Sequence, residues 1–115
     1  MREQVRDKGR LEHILDNIDK ALEFTKDVTF EDYKTNVILR YAVVKCVEII
    51  GEASYMLTKE FREKHSEVEW RKIIAMRHIL VHGYYQTSDD FVWNVVKNNL
   101  PLLKENIQVI YEQQD

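Results

Sequence analysis

Apolar residues recur along the chain at steps of three and four, the spacing that places them on one face of an α-helix. The first series predicts a helix over Lys8–Lys26, and residues 27–29 then interrupt the pattern. Thr29 is suited to cap the helix that follows. The apolar face of this first helix consists of Leu11, Ile14, Leu15, Ile18, Leu22 and Thr25.

A second helix is predicted from Phe30 to about Glu63, and its centre is apolar on nearly every side. The core of one small domain cannot easily surround such a helix, so the pattern indicates a homodimer. Gly51 lies in the middle, where glycine costs about 1 kcal/mol relative to alanine. Close approach of another helix would explain this glycine, and so would a mild kink.

One stripe of the second helix is polar. Lys45, Glu48 and Glu52 fall on it between Tyr41 and Tyr55. These side chains either form ion pairs along a solvated face or make a polar wall that faces a functional site.

Two further helices are predicted in the second half of the chain. Ser66–Glu69 match a capping box ahead of a helix that continues through Leu80, and Gly83 suits its end. The last helix begins in the polar segment 87–90. Pro101 either kinks it or begins a separate segment at Asn99 or Leu100.

Composition agrees with a helical fold. The 115 residues include only 3 Gly and 1 Pro, fewer turn-forming residues than a sheet-rich domain needs. Residues 1–115 are therefore predicted to form one all-α domain, an up-and-down bundle of four to five helices.

Charge and cysteine content exclude several classes of function. A net charge of −3 disfavours binding to the backbone of long nucleic acid, and no DNA partner is expected. Contact with RNA therefore requires a local positive site or a surface made by two subunits. The one cysteine, Cys46, is expected to be a buried, inert thiol. No stretch resembles a membrane span or a signal peptide, so we expect a cytoplasmic protein. A single cysteine excludes a zinc cluster of the multi-cysteine kind, and no cofactor is expected.

The residues with the most chemical potential lie between Met76 and Tyr85, where an arginine, two histidines and two tyrosines surround a predicted helix end. Arginine offers a permanent cation and a planar donor fork for phosphate, and histidine exchanges protons near neutral pH. Cleavage of RNA without a metal needs both functions.

Purely structural roles would also account for these residues. The histidines would cap the helix, Arg77 would form an ion pair with Glu48 or Glu52, and the tyrosines would fill a core or an interface. Arg77 and His82 are also about 140° apart around a helix. They converge only if the helix ends near Val81, or if the site is composed across a dimer axis.

Arg77, His82 and Tyr84 match the R-x4-H-x-Y motif of the HepT-like ribonuclease toxins, and the chain resembles this family of the HEPN superfamily. The resemblance spans roughly Leu11 to Ile107. Residues 47–53, 70–77, 91–93 and 100–101 resemble the family's segments in the same order.

The resemblance implies a dimerising HEPN-like bundle that acts as a metal-independent endoribonuclease toxin of a type II toxin–antitoxin system. It implies that Arg77 positions the scissile phosphate, that His82 is the general acid or base, and that Tyr84 lines the site. The implied partner is a minimal nucleotidyltransferase antitoxin, which neutralises the toxin by transferring AMP to Tyr84.

One position departs from the family pattern. His78 follows the motif arginine, where the family commonly has Asn or Asp, so His78 either joins the catalysis or signals altered activity. Tyr85 beside Tyr84 leaves the modified hydroxyl ambiguous. The alternative function is a catalytically inactive HEPN module that binds nucleotides or proteins.

Overall fold

The structure, a computed structural model, describes residues 2–82 and 89–114, with side chains from Arg6 onward. These ranges contain no β-strand, which confirms the all-α prediction. The helices are α1 (Arg2–Phe24), α2 (Phe30–Thr35), α3 (Val37–Met56), α4 (Lys59–Lys64), α5 (Trp70–His82), α6 (Asp89–Asn94) and α7 (Leu100–Glu112), with a π-helical turn at Val95–Asn99 between the last two.

The core forms where α3 packs against α1 on one side and α5 on another, while α7 packs on α1. The predicted apolar face of α1 is confirmed, because Leu11, Ile14 and Ile18 are fully buried. Each such side chain contributes roughly 1.5–3 kcal/mol relative to an exposed one. The helix itself begins at Arg2, earlier than the predicted start at Lys8.

The prediction of one continuous helix from Phe30 to Glu63 is wrong, because two capping side chains divide it. Asn36 is extended, and its Oδ1 accepts a hydrogen bond from the Leu39 amide at 3.0 Å. Thr58 Oγ1 accepts likewise from the Phe61 amide at 3.2 Å. Such side chains offer the backbone a partner outside a continuous helix, which apolar periodicity does not register.

The predictions for the other helix ends are confirmed in part. The predicted cap at Thr29 is confirmed, since its hydroxyl accepts from the Asp32 amide at 3.1 Å. The predicted capping box at Ser66 is not used: α5 begins at Trp70, whose indole Nε1 donates to the His65 carbonyl at 3.0 Å. Pro101 lies in the first turn of α7, where proline's missing N–H costs nothing.

A buried carboxylate joins α1 to the start of α4. Asp7 is 3% exposed, and its two oxygens accept hydrogen bonds from the Thr58 amide at 2.9 Å and the Thr58 hydroxyl at 2.7 Å. The link therefore holds the turn between α3 and α4 against the core.

Replacing Asp7 with alanine is expected to lower the free energy of unfolding by about 1.5–3 kcal/mol, because two hydrogen bonds to a charged acceptor are lost. Urea denaturation followed by circular dichroism measures this change. Asp16→Ala on the same helix is the control, since Asp16 is exposed and pairs only with Lys20 at the surface. Equal denaturation midpoints for the two variants would show that the Asp7 link contributes nothing.

None of the helices in the described ranges is both long enough and apolar enough to cross a membrane.

Candidate active site

Arg77 lies where α5 approaches α3 most closely. A Cβ atom built on Gly51 of α3 would be 2.2 Å from Arg77 Cβ and 3.1 Å from the Ile73 carbonyl oxygen. Of the two explanations for a glycine in mid-helix, the close approach is therefore confirmed. Gly51 lets the backbone of α3 lie directly against the first atoms of the Arg77 side chain.

The Arg77 side chain is partly buried, and within residues 2–82 and 89–114 its guanidinium makes no hydrogen bond or ion pair. The structural alternative, an ion pair to Glu48 or Glu52, is thus not formed in this part of the chain. No carboxylate of the described ranges neutralises this guanidinium, and its planar donor fork suits phosphate.

His78 and His82 lie together on the last turns of α5. Both are exposed, with ring centroids 4.6 Å apart and ring planes at 51°. Because α5 runs through His82, Arg77 and His82 remain about 140° apart around its axis. One chain therefore does not bring them to the same face of the helix.

The polar stripe of α3 is solvated in the chain described here. Lys45 Nζ lies 3.7 Å from Glu48 Oε2, the surface ion pair that one interpretation expected. Tyr41 and Tyr55 are 73% and 61% exposed. Glu52 is exposed at the edge of a groove between α1 and α3.

That groove has a volume of about 470 Å³ and contains a row of basic residues that the sequence interpretation missed. Arg6, Arg10 and His13 line it from α1, at steps of four and three that place them on one helical face. The spacing was visible in the sequence, but the predicted helix began after Arg6. Guanidinium groups in such a row are suited to phosphate contacts, although Glu12 and Glu52 line the same groove and offset part of their charge.

An ion pair joins α3 to the first described residue of α6. Arg40 Nε of α3 lies 3.0 Å from Asp89 Oδ1, and Asp89 is the first residue of α6. Burial, followed by the nearby Asp89 carboxylate, raises the pKa of Tyr33 to about 12, so this phenol stays neutral.

The motif residue Tyr84, with Gly83 and Tyr85, lies outside the described residues.

The described ranges contain no group of three or more His, Cys, Asp or Glu side chains placed to hold a metal ion. Cys46 is 4% exposed, and burial raises the pKa of its thiol, as expected for an inert core cysteine.

Comparison with known proteins gives consistent matches over almost the whole chain. The family model described as "Ribonuclease HepT-like" matches residues 14–110. "Putative RNase MJ1380" of Methanocaldococcus jannaschii is 36% identical over 103 residues, which cover 90% of this chain and 94% of that protein.

Two further relatives come from other organisms. "Putative RNase TTE0752" of Caldanaerobacter subterraneus is 38% identical over 90% of this chain and 93% of its own length. "Probable ribonuclease HepT" of Thermococcus cleftensis is 37% identical over 84% of this chain and 88% of its own length. No solved structure matches the chain.

Proposed function

The chain belongs to the HepT-like ribonuclease family, and on that premise we propose that it is a metal-independent endoribonuclease that uses Arg77 and His82 on the scissile phosphate of RNA. The observation that supports this most is Arg77, a partly buried residue whose guanidinium has no partner within the described ranges. It lies on the same short helix as two exposed imidazoles.

The proposed reaction is an internal transesterification. The ribose 2′-oxygen attacks phosphorus, the bond from phosphorus to the 5′-oxygen breaks, and the products are a 2′,3′-cyclic phosphate and a 5′-hydroxyl. A base takes the 2′-hydroxyl proton and an acid protonates the leaving 5′-oxygen, and His82 performs one of these transfers. Arg77 stabilises the negative charge that builds on the phosphoryl oxygens.

The active form is proposed to be a homodimer whose site combines residues of two copies. The separation of about 140° between Arg77 and His82 around α5 supports this, because a second copy can supply the missing group. Exposed apolar and aromatic side chains also lie at both ends of α3, on either side of the polar stripe: Val37, Ile38, Tyr41, Tyr55 and Met56 are 49–83% exposed. Burial of these side chains against a second copy would contribute to dimer formation.

We further propose that the chain is the cytoplasmic toxin of a type II toxin–antitoxin system. Its partner would be a minimal nucleotidyltransferase antitoxin that transfers AMP to Tyr84. This rests on the R-x4-H-x-Y motif in the sequence. An AMP group near Arg77 would exclude the RNA phosphate by bulk and by negative charge.

A second candidate function is a catalytically inactive HEPN module that binds nucleotides or proteins. His78, in place of the family's usual Asn or Asp, and the net charge of −3 favour it. In that case the same guanidinium would hold a nucleotide phosphate without cleaving RNA.

The deciding experiment is RNA cleavage by the purified protein in EDTA, with analysis of the product ends. We expect cleavage without a metal, leaving 2′,3′-cyclic phosphate ends. If cleavage occurs only with added Mg²⁺, metal independence is wrong.

If no RNA is cut but calorimetry detects mononucleotide binding, the inactive module is favoured instead. Intact mass identifies protein that was purified already carrying AMP, whose presence would explain inactivity and support the antitoxin proposal.

A further inference from the structure

The two exposed histidines of α5 form a close pair, of which the proposed reaction assigns a role only to His82. His78 and His82 are one helical turn apart, and their rings lie 4.6 Å from each other, centroid to centroid. The proposed reaction gives His82 one of its two proton transfers and gives no transfer to His78. The pairing of the two rings therefore needs an explanation of its own.

The pair has the geometry of a bidentate metal ligand. Two histidines at positions i and i+4 on one helical face are the arrangement that holds zinc in helical H-E-x-x-H sites. Nitrogens bound at about 2.0–2.1 Å to one ion lie roughly 3–3.4 Å from each other. Exposed rings 4.6 Å apart reach this separation by side-chain rotation alone.

The location on the helix favours a cation. His82 is the last residue of α5, where the helix dipole places partial negative charge. Arg77 opposes this as a neighbouring positive charge, but it is about 100° from His78 around the helix axis. Its Cβ packs toward Gly51 of α3.

We propose that His78 and His82 bind one nitrogen-preferring divalent ion, Cu²⁺ or Zn²⁺, and that the bound ion inhibits the ribonuclease. The inhibitory part rests on the proposed role of His82. A His82 nitrogen coordinated to a metal has neither a free lone pair to accept a proton nor a proton to donate, so it can serve neither as the base nor as the acid of the transesterification. Imidazole ligands suit Cu²⁺ and Zn²⁺, whereas Mg²⁺ prefers oxygen ligands and should not bind here.

Binding is tested directly by titrating untagged protein with Cu²⁺ and recording electron paramagnetic resonance spectra. We expect one ion per chain with two coordinated nitrogens. His78→Asn and His82→Asn should each weaken binding at least about tenfold, since even the loss of a group that only supports a metal ligand has this effect.

His13→Asn is the matched control, because His13 is exposed on α1 and belongs to no such pair. The buried Cys46 thiol is not expected to compete for the ion. If His78→Asn binds Cu²⁺ as tightly as the unaltered protein, the site is wrong.

Inhibition is tested by measuring RNA cleavage against Cu²⁺ concentration, with each variant compared with its own metal-free rate and with Mg²⁺ as the control ion. We expect Cu²⁺ to inhibit the unaltered protein and His13→Asn, and His78→Asn to need at least about ten times more Cu²⁺. Equal inhibition of the unaltered protein and His78→Asn overturns the proposed inhibition.

The binding and cleavage experiments together distinguish failure of the proposed function from failure of the metal site. If RNA is not cleaved without a metal but Cu²⁺ binds to both histidines, the ion site is supported and its inhibitory role is overturned.

Discussion

Replacing Arg77 with alanine is expected to lower the rate of RNA cleavage at least about a hundredfold, because a preorganised positive donor at the reacting phosphate is lost. Alanine keeps the Cβ atom that packs toward Gly51, so the contact between α3 and α5 should survive. Arg77→Lys should recover only part of the rate, since lysine keeps the charge but lacks the planar fork. Single-turnover cleavage of a defined RNA measures all three proteins.

His82→Ala is expected to lower the rate by about 10²- to 10⁴-fold, the usual contribution of a positioned acid or base. Arg71→Ala is the matched control for the arginine, because it removes an exposed positive charge from the same helix. If Arg77→Ala and His82→Ala both cleave as fast as Arg71→Ala and the unaltered protein, the catalytic assignment is wrong.

Mixing the two inactive variants tests whether the site is shared between subunits. In a mixed dimer, one subunit keeps Arg77 and the other keeps His82, so a site composed across the dimer axis is whole once. A random mixture should then regain about a quarter of the normal rate, since half the dimers are mixed and each has one of two sites. No recovery in dimers shown to exchange would place both groups in one chain.

Much of the fold was predictable because apolar spacing reports directly on burial. Leu11, Ile14 and Ile18 recur at helical steps, and all three are fully buried. The start of α7 at Leu100 was one of two alternatives in the sequence, because proline restricts where a helix can continue.

The division of the second predicted helix was not visible in the same way. The apolar spacing continues across Asn36 and Thr58, while the breaks depend on single hydrogen bonds from these two side chains. Thr58 is further held by Asp7, 51 positions earlier in the chain, a contact that no local pattern contains. Long-range polar links of this kind require the tertiary structure.

For the candidate site, the motif identified Arg77 and His82 but not their surroundings. That His78 and His82 lie together follows only once α5 is known to run through His82. The basic row in the groove was overlooked because the predicted first helix excluded Arg6. Gly51 had two explanations in the sequence, and only its distance to Arg77 distinguishes them.

The second large effect is expected from Gly51→Ala. In an ordinary helix this change stabilises by up to about 1 kcal/mol, because alanine has the higher helix propensity. Here the new Cβ would meet Arg77 Cβ at 2.2 Å and the Ile73 carbonyl oxygen at 3.1 Å. Neither atom is the free end of a flexible side chain, so α3 and α5 must move apart. We expect a net destabilisation of about 1–3 kcal/mol, typical of overpacking.

Gly9→Ala provides an internal control for this substitution. Gly9 is also helical, on α1, and a Cβ built there meets nothing within 4 Å. This variant should be as stable as the unaltered protein or more stable, by up to about 1 kcal/mol. Urea denaturation measures both changes, and a Gly51→Ala variant as stable as Gly9→Ala would show that the two helices do not meet as closely as described.

Gly51→Ala also distinguishes an effect on the packing of α3 against α5 from an effect on the position of the Arg77 side chain. Moving α5 away from α3 shifts the Arg77 side chain, and a misplacement of about 1 Å at a catalytic group can cost about a hundredfold in rate. If Gly51→Ala is folded at the assay temperature yet cleaves RNA far more slowly than Gly9→Ala, Gly51 positions Arg77 for the reaction. If the folded variant cleaves at the normal rate, the close approach serves stability alone, and the position of Arg77 does not depend on it.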